Sequence, residues 1–209
     1  MNWTTALSDL LVATAVFPAL LRHTRPSIFV LAIQGLVLSA VALVFNPDWA
    51  GILIALLVFM AKTVIVPWLL YRTANRVAAF ELSELLTPWS YLGVVFVLLA
   101  VRLLTPHVAA GAFSASTTHF IAASLAATML GLLVVTTRGL LPNQMLGLAL
   151  TENGLYGAGI ALAHGLPIIL DLGVLLDLLL ALFLLAWLTG HIHDAWGHVD
   201  AEQLNRLRG

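Results

Sequence analysis

The feature that most constrains this chain is a series of long apolar stretches separated by short polar segments. A helix needs about 20 apolar residues to cross the hydrocarbon core of a bilayer, where every backbone polar group must be satisfied within the protein. Stretches of about that length follow one another at 3–21, 27–45, 49–71, 89–105, 117–137, 141–163 and 167–190. The pattern predicts an all-α, polytopic membrane protein with about seven transmembrane helices.

The composition excludes other classes of protein. Apolar residues make up 61% of the 209 residues and charged residues only 9%, whereas about 25% of a soluble domain is charged. The net charge is −1, which excludes disorder driven by charge and a basic surface for nucleic acid. The chain has no cysteine, so it cannot hold a disulfide or a cysteine-ligated iron–sulfur cluster. We therefore expect no cofactor in this chain.

The positions of the arginines predict the orientation, because cationic residues accumulate on the cytoplasmic side of membrane proteins. With seven spans, the first, third and fifth loops lie on the same side as the C-terminus. Arg102 is the one arginine or lysine of the opposite side. We therefore expect the N-terminus outside and the C-terminus in the cytoplasm. The arginines on the predicted cytoplasmic side are Arg22, Arg25, Arg72, Arg76, Arg138, Arg206 and Arg208.

One domain is predicted, a transmembrane helical bundle over 1–190, followed by a polar cytoplasmic tail over 191–209. The tail is too short for a domain and is expected to lie at the membrane surface or on a partner. Its histidines, His191, His193 and His198, have a spacing that only weakly resembles a metal site. A polar interface is the favoured interpretation, and no metal site is predicted.

Three ionisable residues lie far from the ends of their apolar stretches. Lys62, Glu152 and Asp177 belong to the third, sixth and seventh stretches, and each lies about 15–20 Å along its helix axis. Facing lipid, they would together cost on the order of 7–10 kcal/mol, so they must face protein or trapped water. A proton or ion relay is the favoured interpretation. A structural ion pair between Lys62 and either carboxylate is the alternative.

Neighbouring residues support these positions. Pro67 follows Lys62 in the same stretch, and a proline removes a backbone hydrogen bond, here to the carbonyl of Thr63, and kinks the helix. Such a kink suits either ion transfer or ordinary helix packing. Asn153 can form hydrogen bonds across helices. Gln34 is expected to do the same, with support of a proton wire as its second interpretation.

Other residues are given structural roles. Gly154, Gly157 and Gly159 predict a close approach of neighbouring backbones, because small residues let membrane helices pack tightly. Asp9 lies near the outer end of the first stretch, where water is reachable. His119, at the outer end of the fifth stretch, is expected to be a hydrogen-bonded structural residue.

The sequence also resembles a known family. The segments that carry the resemblance are AKTVIVPWLLYRTANR (61–76), IQGLVL around Gln34, and the C-terminal part from NQMLGLALTENG (143–154) to VDAEQLNRLRG. They resemble hydrogenase-4 component E, a membrane subunit of energy-converting nickel–iron hydrogenases and formate hydrogenlyase-type complexes. The similarity runs nearly end to end and is least distinctive over 80–140.

The last two stretches resemble a second group of proteins as well. They are similar to subunit K of the proton-pumping NADH–quinone oxidoreductase and to the C subunit of multi-subunit sodium/proton antiporters. In subunit K, glutamates on two consecutive helices lie on a hydrophilic axis through the membrane. Glu152 matches the first of these, and Asp177, one methylene shorter, matches the second.

The resemblance implies a role within a complex of the bacterial inner (cytoplasmic) membrane. Similar subunits hold no metal and lie between a quinone-module-like membrane subunit and antiporter-like membrane subunits. Nickel–iron and iron–sulfur centres belong to peripheral hydrogenase subunits. The implied function is translocation of protons or sodium ions by Lys62, Glu152 and Asp177, without a catalytic site in this chain. The alternatives are a non-conducting scaffold that joins antiporter-like subunits and a stand-alone transporter, which the lack of internal repeats disfavours.

Overall fold

The computed structural model describes residues 3–21, 23–45, 48–77, 88–108, 113–162 and 168–196, with side chains at all of these except 4, 88, 106, 108, 168–178, 195 and 196. Every element formed by these residues is helical. The elements are α1 (Trp3–Leu20), α2 (Thr24–Phe45), α3 (Trp49–Val58), a π-helical segment (Phe59–Ile65), α4 (Val66–Arg76), α5 (Pro88–Val108), α6 (Ala115–Thr137), α7 (Leu141–Leu162) and α8 (Ile168–Trp196). The predicted all-α class is confirmed.

The apolar stretches of the sequence coincide with these helices. The third stretch is one continuous helix of 28 residues, Trp49–Arg76, which includes α3, the π segment and α4. Together with Thr24–Phe45 and Ala115–Thr137, it is long and apolar enough to cross a membrane. Shorter apolar helices occur at Thr5–Leu20, Trp89–Thr105 and Leu179–Asp194. By length and composition the chain is therefore a membrane protein, while the number of spans and their orientation remain predictions.

The surface of the described bundle is apolar. Large hydrophobic side chains are exposed on several helices, with Phe29 on α2, Phe96 on α5 and Phe183 on α8 all more than half exposed. Soluble monomers rarely expose large contiguous apolar areas. A lipid environment is the one in which such a surface is stable.

Two helices form the centre of the bundle. α2 packs against α1, α3, the π segment, α4 and α7, and α7 packs against α2, α4, α6 and α8. α5 lies at the edge, against α1 and α6. The helix axes of α2, the long helix and α7 therefore converge in one region, which becomes the place where buried polar groups can meet.

Small residues allow α6 and α7 to pack closely. A Cβ atom on Gly154 would lie 2.4 Å from the backbone nitrogen of Thr128, and one on Gly131 would lie 2.4 Å from the nitrogen of Thr151. Both distances are shorter than any non-bonded contact, so each glycine marks a place where a backbone occupies the position of a side chain. This contact fixes the face of α7 that points toward α6.

The prediction of tight packing holds for two of the three glycines named from the sequence. A Cβ on Gly157 would meet the hydroxyl of Ser124 at 2.7 Å, in line with the result for Gly154. Among the described residues, no atom lies within 4 Å of the position that a Cβ on Gly159 would take, so they show no close approach there. A glycine in a helix does not by itself show which face is covered.

Two polar contacts connect segments that the arginine pattern places on one side of the membrane. Nη2 of Arg138, after α6, donates to the carbonyl of Leu21 at 2.7 Å and to two further carbonyls at the end of α1. The last carbonyls of a helix lack intrahelical partners, so this guanidinium caps α1. Arg76, at the end of α4, pairs with Asp194 on α8 at 2.7 Å. The first and fifth loops therefore meet, as do the ends of α4 and α8.

We expect Gly154→Ala to destabilise the protein by about 1–3 kcal/mol, because the added methyl group forces α6 away from α7. Gly159→Ala is the matched control, since its methyl group meets none of the described residues and removes the entropic cost of a helical glycine. The midpoint of thermal unfolding in detergent, followed by tryptophan fluorescence, measures both changes. Equal midpoints for the two variants would contradict the packing described here.

Candidate functional site

Lys62 lies in the middle of the long helix, nearly equally far from its two ends at Trp49 and Arg76, within the π-helical segment. Here the N–H of Val66 donates to the carbonyl of Ala61, one residue further back than in an α-helix. Pro67, the second residue of α4, has no N–H to donate. The sequence predicts a kink at this proline, and the structure places a π-helical turn directly before it. Single π turns inside helices occur frequently at functional sites.

The ammonium group of Lys62 is enclosed by one face of α7. Nζ forms an ion pair with Oε2 of Glu152 and donates a hydrogen bond to Oδ1 of Asn153 at 3.0 Å. The centre of the Tyr156 ring lies 4.9 Å from the same nitrogen, within the range of a cation–π contact. The Lys62 side chain is 1% exposed. A carboxylate, an amide and an aromatic ring thus surround a buried cation.

A second amide extends the cluster to α2. Nδ2 of Asn153 donates to Oε1 of Gln34 at 2.9 Å, and the two residues are 2% and 0% exposed. Asn153 therefore joins Lys62 to Gln34, accepting from one and donating to the other. The expected role of both amides in hydrogen bonding between helices is confirmed. We call Lys62, Glu152, Asn153 and Gln34 the midplane cluster.

Gly35 explains how α2 comes close enough for this contact. A Cβ on Gly35 would lie 2.7 Å from both the carbonyl carbon and the carbonyl oxygen of Lys62. The backbone of α2 therefore touches the backbone of the π segment directly beside Gln34. Sequence analysis missed this residue, and also Tyr156.

The members of the midplane cluster share one level of the bundle. Glu152 lies halfway along α7, and Gln34 lies halfway along α2. Together with Lys62 they occupy the centres of three helices, of which α2 and the long helix are long and apolar enough to cross a membrane.

Several buried polar atoms beside the pair have no hydrogen-bond partner among the described residues. They are Oε1 of Glu152, Nε2 of Gln34 and Oγ1 of Thr63. Nearly all buried polar atoms in proteins are hydrogen-bonded, and a buried water molecule is a common partner for such atoms. Glu152 is 14% exposed, against 1% for Lys62. The carboxylate is therefore the member of the pair that is closer to the surface of the bundle.

The remaining predicted residues are placed as follows. Asp177 belongs to α8, but its side chain lies outside the described residues. His119 is hydrogen-bonded, as expected, because its Nε2 lies 3.2 Å from Oδ1 of Asp9. Among the described residues, no group of three or more histidine, cysteine, aspartate or glutamate side chains could hold a metal ion. His198 lies outside the described residues.

Comparison with known proteins finds one relative along almost the whole chain. An uncharacterized protein of Mycobacterium tuberculosis, Rv0085, is 29% identical over 203 residues, which cover 95% of this chain and 92% of that protein. No family model matches the sequence. No solved structure matches it either. The resemblance to Rv0085 assigns no activity, so the argument for function rests on the site.

We expect Asn153→Leu and Gln34→Leu each to destabilise the protein by about 1–3 kcal/mol, because each leaves a buried amide without its partner. The double variant removes both amides. Its loss of stability should therefore be smaller than the sum of the losses in the two single variants, with a coupling of about 1 kcal/mol. Unfolding midpoints in detergent give the values.

Thr105→Val on α5 provides the control for this cycle. The Thr105 hydroxyl donates to the carbonyl of Val101 on its own helix. The destabilisation by Thr105→Val should therefore add to that by Gln34→Leu without coupling. Additive losses for the Asn153 and Gln34 substitutions would show that the two amides do not act together.

Proposed function

We propose that this chain translocates protons as a membrane-arm subunit of a multi-subunit membrane-bound hydrogenase or a related redox complex. The observation that carries the proposal is the buried pair of Lys62 and Glu152, halfway along the long helix and α7, with Lys62 inside a π-helical segment. The chain itself supplies no catalytic site in this proposal. It supplies groups that exchange protons between the two sides of the membrane.

Stability alone gives little reason for such a pair. Removing two charges from water costs several kcal/mol per ion, and apolar residues of similar volume often stabilise a protein equally well or better. A midplane charge is moreover expensive during insertion into the bilayer. The pair therefore requires another explanation, and ionisable residues within membrane helices are in most cases part of an ion or proton path.

Glu152 has the geometry of a proton acceptor. One of its oxygens, Oε2, is paired with Lys62, and the other, Oε1, has no partner among the described residues. A proton that binds Oε1 neutralises the carboxylate and removes the charge that attracts the ammonium group. Lys62, without its counter-charge, can then pass one of its own protons to another carboxylate. Loss of the proton from Glu152 and return of a proton to Lys62 restore the original pair.

The proton is a better candidate for the transported ion than sodium. A metal cation requires several oxygen ligands around it. At this site the ammonium group of Lys62 already interacts with Oε2 of Glu152 and Oδ1 of Asn153. A sodium ion in that position would face an ammonium group at close range, and the like charges would repel each other.

Asp177 is proposed as the next carboxylate of the relay. It belongs to α8, which packs against α7, the helix of Glu152, and against α4, which continues the helix of Lys62. The resemblance to subunit K supports the assignment, since there the second acidic residue lies on the helix that follows the first. Gln34, Asn153 and Pro67 are proposed to support the relay by holding Lys62 and its helix in place.

The proposed setting is the bacterial inner membrane, with seven spans, the N-terminus outside and the C-terminus in the cytoplasm. Antiporter-like and quinone-module-like membrane subunits and peripheral hydrogenase subunits are the proposed partners, and nickel–iron and iron–sulfur centres belong to the peripheral ones. Two segments that resemble hydrogenase-4 component E support these proposed partners. One of them, 61–76, contains Lys62 and the other, 143–154, contains Glu152, and these two residues form the buried pair.

A non-conducting scaffold that joins antiporter-like subunits is the second candidate. One observation favours it, namely that the ammonium group of Lys62 is already held by a carboxylate, an amide and an aromatic ring. Such a well-enclosed cation could simply lock three helices together. The substitutions described next separate the two functions.

Glu152→Gln should leave the complex assembled and lower hydrogen-dependent proton translocation about tenfold or more. Glutamine keeps the shape and the acceptor oxygen of glutamate but cannot exchange a proton. Proton uptake by inverted membrane vesicles, divided by the hydrogen consumed or evolved, measures translocation, and a native gel measures assembly. Loss of the complex, or full coupling in the variant, would contradict the relay.

Asp194→Asn is the matched control for this substitution. Asp194 forms an ion pair with Arg76, so this substitution also removes a carboxylate from an ion pair. Both side chains of this pair, however, are more than half exposed at the end of the bundle. We expect normal proton uptake. Full hydrogen-dependent uptake in a strain that lacks this chain would contradict the membership in a hydrogenase complex.

Lys62→Met and Lys62→Arg should both impair proton translocation, with a modest loss of assembly for the methionine variant. Methionine removes the charge, whereas arginine keeps it under all physiological conditions and cannot release a proton. A relay therefore fails in both variants. A scaffold tolerates arginine, because a permanent cation still satisfies Glu152. Near-normal proton uptake by vesicles with the arginine variant would show that Lys62 is a structural partner only.

A further inference from the structure

A cavity of about 620 Å³ lies away from the midplane cluster, between α1, α5 and α6. It is found where α1 and α6 begin and α5 ends. Its wall is formed by one face of each of these helices, and alanines of α6 make up much of it. Small side chains leave the space open.

The cavity is polar at one end and apolar at the other. Asp9 of α1, Arg102 of α5 and His119 of α6 line the end near the helix termini. Leu98 lies one turn further along α5, and Ala126 lies two turns beyond His119, about 10 Å deeper along α6. All three helices become apolar in the same direction. The cavity therefore has the polarity of an amphiphile, with a head at the edge of the bundle and a tail inside it.

The polar end carries both signs of charge. The carboxylate of Asp9 is 71% exposed and lies 3.2 Å from Nε2 of His119, which is 43% exposed. Arg102, also exposed, offers a planar fork of N–H donors that suits a phosphate group. Asp9 offers acceptors that suit a protonated amine. A ligand with a phosphate and a primary ammonium group satisfies both residues.

We propose that this cavity binds an aminophospholipid of the phosphatidylethanolamine type. Its phosphate interacts with Arg102, its ammonium group with Asp9, and one acyl chain occupies the apolar part. A transmembrane helix of a partner protein fits less well, because it would cover the two charged side chains without satisfying them. The headgroup of a lipid satisfies both charges and stays in contact with water. The inference does not depend on the proposed proton relay.

Native mass spectrometry of the detergent-purified chain, incubated with equimolar phosphatidylethanolamine, phosphatidylcholine and phosphatidylglycerol, tests the proposal. Phosphatidylcholine has the same charges but a quaternary ammonium group without N–H donors, and phosphatidylglycerol has no ammonium group. We expect the first lipid to be retained about tenfold better than either competitor, as for a charge-assisted hydrogen bond. Equal retention of all three would overturn the site.

Three substitutions examine the parts of the site separately. Arg102→Gln should lower retention of every phospholipid, Asp9→Asn should remove the preference over phosphatidylcholine, and Ala122→Leu should fill the apolar part and lower retention about tenfold. Arg72→Gln and Ala50→Leu make the same changes at exposed positions outside the cavity. They should retain the lipid like the unsubstituted chain. Equal losses in the control variants would overturn the proposal.

Discussion

The packing of this protein depends on the need to satisfy one buried ammonium group. Lys62 lies in the middle of a helix long enough to cross a membrane, and only 1% of its side chain is exposed. Glu152 supplies the opposite charge, and Asn153 supplies a second acceptor. Both belong to α7, so α7 must present one particular face to the long helix. The glycines on its other side, Gly154 among them, let α6 pack closely enough to hold that orientation.

The helices could be predicted from the sequence, whereas their contacts could not. Runs of apolar residues determine the helices because the bilayer allows few other structures. The same runs are apolar on all sides, so periodicity does not show which face of a helix meets which neighbour. For that reason the partner of Lys62 remained open between Glu152 and Asp177. The structure places Glu152 against the lysine, and the side chain of Asp177 lies outside the described residues.

The π-helical segment was missed for a related reason. Pro67 shows from the sequence where a backbone hydrogen bond is lost. Helix propensities, however, do not distinguish an α-helix, in which each N–H bonds to the carbonyl four residues back, from a π-helix, in which it bonds to the carbonyl five residues back. Gly35 was missed because a glycine reports a close approach only once the neighbouring helix is known. Gly159 shows the converse, since none of the described residues approaches it closely. Sequence therefore indicated the charged and amide groups of the site but not the backbone geometry that brings them together.

The π turn also changes the direction in which the side chains of the long helix point. Each helical residue turns the chain by about 100°, so the extra residue of a π turn rotates everything after it relative to everything before it. Lys62, within this turn, pairs with Glu152 of α7. α2 packs against α3, the π segment and α4, and α8, which carries Asp177 in its first half, packs against α3 and α4. The local distortion at Lys62 thus turns the buried cation toward its partner, while the long helix keeps α2 and α8 as neighbours on both sides of the turn.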